Sequence, residues 1–579
     1  MATECADATP PLETLDACLS NLFSHRAAYL CAPKKADTIY EQRLRNMSST
    51  IRARPDWIEA IKDADTRADW ATEAKAKGVT DLELSYALDE LEFYASLHSS
   101  DSNIRLSAAD GVWLSDKLID AETTKELRDY AAILESIPDS QKDWHPESRS
   151  RTLNLIDPSL YPLVYDRSWL HRQPIASPQA ALNLDTLGEQ PGSVYTWCGD
   201  LSGKGDGQPK YHIALADHRK ASYSSTKFSW LPSEFCVDDS GAATIESYIN
   251  NLHPVRHAAL YLTIASVFSM LLPLLGQVLT DLVHPRKTGV ELHLDRCFEY
   301  DGPKPDVGRN PYTTFCMELK QWMDRAKYLV PTPEPFVIPE RPVKPYDLCG
   351  RRLQAVVQMS SIELLSKKPT YGGKGWSVAG LDNECIIATG IFFFDVVNIA
   401  PCSLRFREPF NAYREARTRN SFRAIKNAYG VRGGYSERLA RASQELGSVD
   451  IKDGLCVVFP NTYQYKLPRI TREIGSKPGH CKMLTFYFVD PSTRIPSTEI
   501  VPPQQRDWWM EQVLASEPLC KLPLLVVEGI MSKLDSPISL KCAKQTRLEI
   551  EAEVKKMTAK ASLKFFEPIN TVECTGRFS

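Results

Sequence analysis

The chain has 579 residues, 43% of them hydrophobic and 25% charged, an ordinary globular composition that excludes a disordered, collagen-like or disulfide-scaffold protein. Lys+Arg 69 against Asp+Glu 73 leaves a formal net charge of -4, so the molecule is no polycation, and a nucleic acid or acidic lipid would have to meet a local basic patch. The 15 cysteines are scattered and form no C-x-x-C pair, which excludes a zinc ribbon or thioredoxin-type motif and predicts reduced thiols in the cytoplasm.

The opening run MATECADATPPLETLDA is acidic and proline-containing where a secretion signal needs a basic start and an apolar core, so none is expected. Residues 1–150 read as a helical region: Glu41 to Ala74 and Asp81 to Leu97 carry apolar residues at three and four spacing, and Pro55 breaks the first run. Residues 151–330 are a mixed strand and helix region of short aromatic runs separated by Gly, Asp and Pro. GKGDG at 203–207 fits neither a P-loop nor a dinucleotide fingerprint and reads as a turn. His253 and His257 have metal-ligand spacing, but Pro254 lies between them and no acid accompanies them, which favours a helix-entry role. Ala258 to Leu279 is uncharged and long enough to span a bilayer. Pro273, Thr263, Ser266, Ser269 and Gln277 interrupt it, and no second such segment exists, so a buried helix over 257–284 is expected, with no membrane partner.

A proline-rich stretch at 331–350 reads as a linker or a strap over the surface. The strongest strand signal follows over 351–507, in LQAVVQMSSIEL, ECIIATGIFFFDVV, CSLRFRE, GLCVVFPNTYQYKL and CKMLTFYFVDP, the pattern of an antiparallel sandwich or jelly roll. Residues 508–579 return to helical character. Lys541, Lys544, Arg547, Lys555, Lys556, Lys560 and Lys564, interrupted by Glu549, Glu551 and Glu553, read there as a solvated helix face.

DPSLYPLVYDRS, SWLPSEF followed by SYINNLHPVRH, GGKGWSVAGLDNECIIATGIFFFD, FPNTYQY, KPGHCKMLTFYFVDP and VPPQQRDWW, in this order, resemble a large fungal family of uncharacterised proteins whose core is similar to the 2-oxoglutarate/Fe(II) oxygenase jelly roll. The resemblance implies an α+β fold with an N-terminal helical region, a double-stranded β-helix (jelly-roll) core and flanking helices. It also exposes departures. Where the oxygenase-like pattern resembles W-H-x-E-G-x-x-N-E, Y-Q-H and G-H-R-K, this chain has Trp376-Ser377-Val378-Ala379-Gly380, Tyr463-Gln464-Tyr465 and Gly479-His480-Cys481-Lys482. A hydroxyl, a methyl and a phenol do not replace two imidazoles and a carboxylate around Fe(II), and the cysteine cannot grip a carboxylate as an arginine does. No metal and no cofactor are therefore expected.

The branch with these losses resembles the fungal arginine-containing cyclodipeptide synthases, which implies a transferase that joins arginine from arginyl-tRNA to a second aminoacyl group as a 2,5-diketopiperazine. A non-catalytic pseudo-oxygenase that binds or scaffolds is the alternative, and a 2-oxoglutarate/Fe(II) oxygenase a weaker one. The implied partners are two aminoacyl-tRNAs, with no DNA. An aminoacyl ester is already activated, and no Walker-type loop is present to bind ATP. Basic residues at Arg405, Arg407, Arg414, Arg417, Arg419, Arg423, Lys426 and Arg432, interleaved with Phe410, Tyr413, Phe422 and Tyr429, offer a tRNA surface or a solvated face. Glu384 is the candidate guanidinium-binding and catalytic acid, with Asp382 and Asn383 beside it as substrate-binding or turn residues. Ser377 is either an acyl acceptor or a space filler; Tyr465 and His480 are candidates for proton transfer or oxyanion donation. Asn461 and Lys482 complete the expected substrate-binding set.

Overall fold

The computed structural model describes residues 38–561 apart from 77, 99–101, 166, 172–173, 184–223, 285–297, 307–311, 330–334, 340–343, 411–441, 474, 476 and 535. Reciprocal capping boxes open two amino-terminal helices: Thr38 with Glu41 ahead of α1 (Ile39–Arg52), and Thr80 with Glu83 ahead of α2 (Asp81–Ser96). Between them the chain breaks around Pro55, then resumes in the short helices Trp57–Ala60 and Ala64–Ala76. The first 150 residues are not helical throughout. Short strands β1 (Arg105–Leu106) and β2 (Trp113–Ser115) precede α3 (Ala121–Glu135) and join the main sheet at its edge.

That sheet also takes in β3 (Thr152–Ile156), β4 (Ser233–Val237), β5 (Ala243–Ile245), β6 (Arg352–Leu364) and β7 (Ile386–Val397). A smaller three-stranded sheet contains β8 (Ser403–Phe410), β9 (Ala442–Asp450) and β11 (Gln464–Lys466), while β10 (Leu455–Pro460) and β12 (Gly479–Val489) return to the main one. Among the described residues the main sheet has nine strands, all antiparallel, in the order β1-β2-β10-β7-β12-β6-β4-β5, with β3 also paired to β6.

Alternation along the strands sorts the side chains onto two faces. Ala355, Val357 and Met359 of β6, Phe392 and Phe394 of β7, and Leu484, Phe486 and Phe488 of β12 face one way. They pack against α4 (Ala258–Val283), where Phe268 stacks on Phe235 with centroids 4.0 Å apart. Burying each such ring contributes about 2–3 kcal/mol. By length and composition α4 can cross a bilayer, but 61% of its most apolar window is buried within the protein. The polar residues that interrupt it are stitches: Ser269 accepts the Ala243 amide and Thr280 accepts the Tyr346 amide, both at 2.7 Å. Gly276 lets the carbonyl of Tyr346 approach, since a Cβ there would lie 2.6 Å from that oxygen. The end of the proline-rich stretch thus straps this helix.

The opposite face of the main sheet shares a core with the smaller sheet. Leu404 and Phe406 of β8 meet Ile391, Phe393, Phe459 and Met483, and the Phe406 and Phe459 rings are 5.0 Å apart. The fold is α+β. At the carboxyl side, α5 (Arg506–Ala515) packs beside Leu182, and α6 (Leu540–Ala561) closes over the 143–157 segment. Buried Arg547 of α6 donates to both oxygens of Asp143 and, at 2.9 Å, to Asp157 Oδ2. The α6 basic stretch is therefore not wholly solvated, as its sequence suggests: Arg547 is a buried clamp.

Candidate functional site

Ser377 and Tyr465, two residues expected at the site, are brought together by a reciprocal backbone pair: each amide donates to the other's carbonyl, at 3.1 and 3.0 Å. Antiparallel partners direct their side chains to the same side. Tyr465 pairs with Phe406 and packs toward the shared core, with its ring 5.1 Å from that of Phe459, so Ser377 faces the same interior. The Tyr465 and Tyr487 phenols are hydrogen-bonded, and Tyr487 donates to Gln358 Oε1 at 2.6 Å. Burial raises the pKa of both tyrosines, which keeps them protonated donors at neutral pH. Trp230 walls this end, its ring 5.3 Å from Tyr487.

A group of titratable residues that the sequence reading did not single out stands beside the tyrosines. Lys374 is solvent-exposed, yet surrounding protein lowers its amine pKa by desolvation, against the pull of Asp157, Glu551 and Glu147. The loop carrying it passes close to the chain at Leu467: Gly373 has φ +80°, and a Cβ there would lie 2.8 Å from the Leu467 carbonyl oxygen and from Pro468. Asp157 is buried, and its charge acts on Tyr487 as well as on Lys374 and Glu551, which links this titratable group to the tyrosine pair.

Glu551 of α6 is a second perturbed carboxyl here. Desolvation first, then the charge of Asp157, raises its pKa to about 7, with Arg547 and Lys374 opposing. His145 Nε2 lies 4.0 Å from Glu551 Oε1, and His145 Nδ1 accepts the Glu147 amide at 3.3 Å, which assigns the hydrogen of the neutral ring to Nε2. Desolvation, then Lys374 and Arg547, lowers the His145 pKa to about 4. At neutral pH an uncharged imidazole stands beside a half-ionised carboxyl, and of the two the carboxyl is the group that takes up and gives back a proton near neutrality.

This pairing sets a pH signature. Glu551 has its pKa raised on folding, so its contribution to stability is lost as pH rises from about 4.5 to about 7. His145 has its pKa lowered, so its contribution is lost as pH falls from about 6.5 to about 4. The two slopes oppose each other between 4.5 and 6.5, where folding in effect moves a proton from the imidazole to the carboxyl. A His145→Gln variant should therefore lose on the order of 1–2 kcal/mol of stability between pH 4.5 and 7 relative to the parent. Urea midpoints measured across that range check it; parallel profiles for the two proteins would refute the coupling.

Other expected residues lie elsewhere. Glu384 is buried, accepting the Trp230 amide at 3.0 Å and the Leu381 amide at 2.5 Å, so its carboxylate holds a turn and is not open to a guanidinium. Asp382 belongs to the same short turn. Asn383 is buried and bonded to the Ser225 amide, the Phe228 carbonyl and the Tyr165 hydroxyl. Asn461 clamps Ala379 through both its amide and its carbonyl. His480 and Lys482 stand on the other face of β12 from Tyr487, alongside Leu484 and Phe486. His480 Nε2 is 2.9 Å from Asp395, off the line of a hydrogen bond, and Lys482 pairs with Glu135 at 3.0 Å. Seven residues along a strand is roughly 23 Å, so Glu384, Tyr465 and His480 do not converge on one cavity.

Arg407 is buried, donates to Gln464 Oε1 at 2.7 Å and is not a free phosphate ligand, whereas Arg405 is half-exposed and paired with Glu445. Arg414, Arg417, Arg419, Arg423, Lys426 and Arg432 lie outside the described residues. His253 accepts the Val255 and Arg256 amides through Nδ1, consistent with helix entry.

The donor set does not fit iron with 2-oxoglutarate. Ser377, Ala379 and Tyr465 stand where the resemblance places the iron ligands, and no group of three or more His, Cys, Asp or Glu able to hold a metal occurs among the described residues. Cys481, at the expected carboxylate anchor, is fully buried beside Met483 in the shared core, where burial raises its thiol pKa. Residues 82–512 match the model of a family described as a protein of unknown function, DUF4246, and no curated protein matches the chain.

Proposed function

The chain belongs to the DUF4246 family, and from that premise we propose that it is a tRNA-dependent cyclodipeptide synthase built on a jelly-roll core without iron ligands. The observation that carries the reading is the group of titratable side chains Glu551, His145 and Lys374, linked through Asp157 to the Ser377–Tyr465–Tyr487 cluster. Amide formation from aminoacyl esters needs a group that takes a proton from an amine near neutrality and donors for a developing oxyanion. A carboxyl with a pKa of about 7 supplies the first. The Tyr465 phenol and the Lys374 ammonium supply the second.

The α-amine of one aminoacyl group attacks the ester carbonyl of the other, and its proton passes to ionised Glu551. The C–N bond forms as the ester C–O bond breaks, and the tRNA ribose oxygen leaves with a proton from protonated Glu551. Attack by the second α-amine on the remaining ester closes the ring and releases the second tRNA. Ser377 serves as acyl acceptor if the first aminoacyl group is handed to the protein before attack. Glu147 offers a carboxylate to the arginyl guanidinium: its pairing with Lys555 at 2.7 Å is between exposed side chains, and such a pair contributes only about 0–1 kcal/mol. The test is incubation of the purified protein with labelled arginine, arginyl-tRNA synthetase, a tRNA and amino-acid charging mixture and ATP. A labelled, ribonuclease-sensitive diketopiperazine is expected; its absence with charged tRNA and folded protein rejects the proposal.

A further inference from the structure

We infer that Trp376 is a stacking platform for an unpaired base of an RNA strand at the rim of this site, an inference that takes from the proposed function only the identity of the strand. Ser377 faces the interior with Tyr465, so Trp376, one residue earlier in the same extended segment, faces the outer side of the three-stranded sheet. There its ring lies on a bed of cations: the Arg407 guanidinium is 4.6 Å from the ring centroid, and the Arg405 guanidinium and Lys466 amine are each 5.9 Å from it. Arg405 and Lys466 are direct cross-strand partners, an arrangement that like charges disfavour. Glu445 neutralises Arg405, but among the described residues Lys466 has no carboxylate partner.

The ring is only partly covered. A surface that gathers three cations around a partly open indole is matched by a ligand with a flat π-face and a negative backbone, which is the chemistry of single-stranded nucleic acid. It is a poor match for an apolar peptide, which would leave the Lys466 charge uncompensated. The platform also adjoins the proposed site along the chain: Lys374 is two residues before Trp376, and Ser377 follows it. A strand resting its base on Trp376 and its phosphate on Lys466 has its end at the Ser377 edge, where an ester must arrive.

The probes are a fluorescein-labelled single-stranded octaribonucleotide ending in CCA and, separately, total tRNA, measured by anisotropy against the full chain. Trp376→Leu should weaken binding of the octamer about tenfold, and Trp376→Phe should restore most of it. Lys466→Ala should lower the slope of log affinity against log salt by about one. Circular dichroism and the melting midpoint establish that each variant is folded. Unchanged octamer affinity in folded Trp376→Leu overturns the inference and leaves the cations as internal packing for the indole. The two readings separate cleanly. Trp376-dependent RNA binding without cyclodipeptide keeps the platform and rejects the synthase, whereas product formed with an unaltered KM for aminoacyl-tRNA in Trp376→Leu rejects the platform alone.

Discussion

Replacing Glu551 with Gln is expected to lower cyclodipeptide formation at pH 7 by about a hundredfold or more, the usual contribution of a positioned acid or base. The amide keeps the shape of the carboxyl but takes up no proton from an attacking amine and delivers none to a leaving ribose oxygen. Because burial and Asp157 hold this pKa at about 7, the parent rate should rise with pH through that value, and the variant should lack that limb. The pH dependence of kcat, with the melting midpoint as a folding control, is the measurement. A variant as active as the parent across pH 6–8 would remove Glu551 from the chemistry.

The largest effect on stability is expected from Arg547→Ala. The guanidinium lies between Asp143 and the buried Asp157, and removing one partner of a buried ionic group typically destabilises by about 3–5 kcal/mol, because the remaining charges are left without compensation. Desolvation already raises the Asp157 pKa against the attraction of Arg547, so loss of the arginine raises it further. The deficit should therefore shrink as pH falls and Asp157 takes up a proton, and adding Asp157→Asn should recover part of it at neutral pH. Urea unfolding of the parent, the single variant and the double variant at two pH values tests this. A loss below about 1 kcal/mol would mean that α6 is held by its apolar contacts and not by this clamp.

Much of the framework was legible because it rests on local rules. The break at Pro55, the long apolar run of α4 and the strand texture from β6 onward each depend on residues close in sequence. The edge strands β1 and β2 were harder to read: at two and three residues they carry no period, and their pairing is fixed by a β10 partner more than 340 residues away.

The site was legible in part for the same reason. Ser377 and Tyr465 are identified by motif, and a single ladder pair joins them. Glu384 and Asn461 stand in equally distinctive motifs, yet their polar atoms are taken up by backbone amides and carbonyls, which no spacing reveals. His480 was excluded by parity, since alternation along β12 turns it away from Tyr487. The missed groups are the instructive ones. Glu551 and Arg547 sit in a helix that reads as an ordinary charged face, and only the tertiary approach of α6 to the 143–157 segment desolvates them. For Lys374 a signal was present: a lysine flanked by glycines, two residues before the Trp376-Ser377 motif, is a side chain on a loop able to approach its surroundings closely.

The most direct test of the central claim is a reaction in which purified, labelled arginyl-tRNA, a mixture of other aminoacyl-tRNAs and the protein are combined without ATP, synthetase or free amino acids. Formation of a labelled arginine-containing diketopiperazine, with stoichiometric loss of the arginyl ester, is the predicted result. If the ester persists apart from its spontaneous hydrolysis while the protein still binds the tRNA, the protein binds without turnover, and the synthase reading is contradicted.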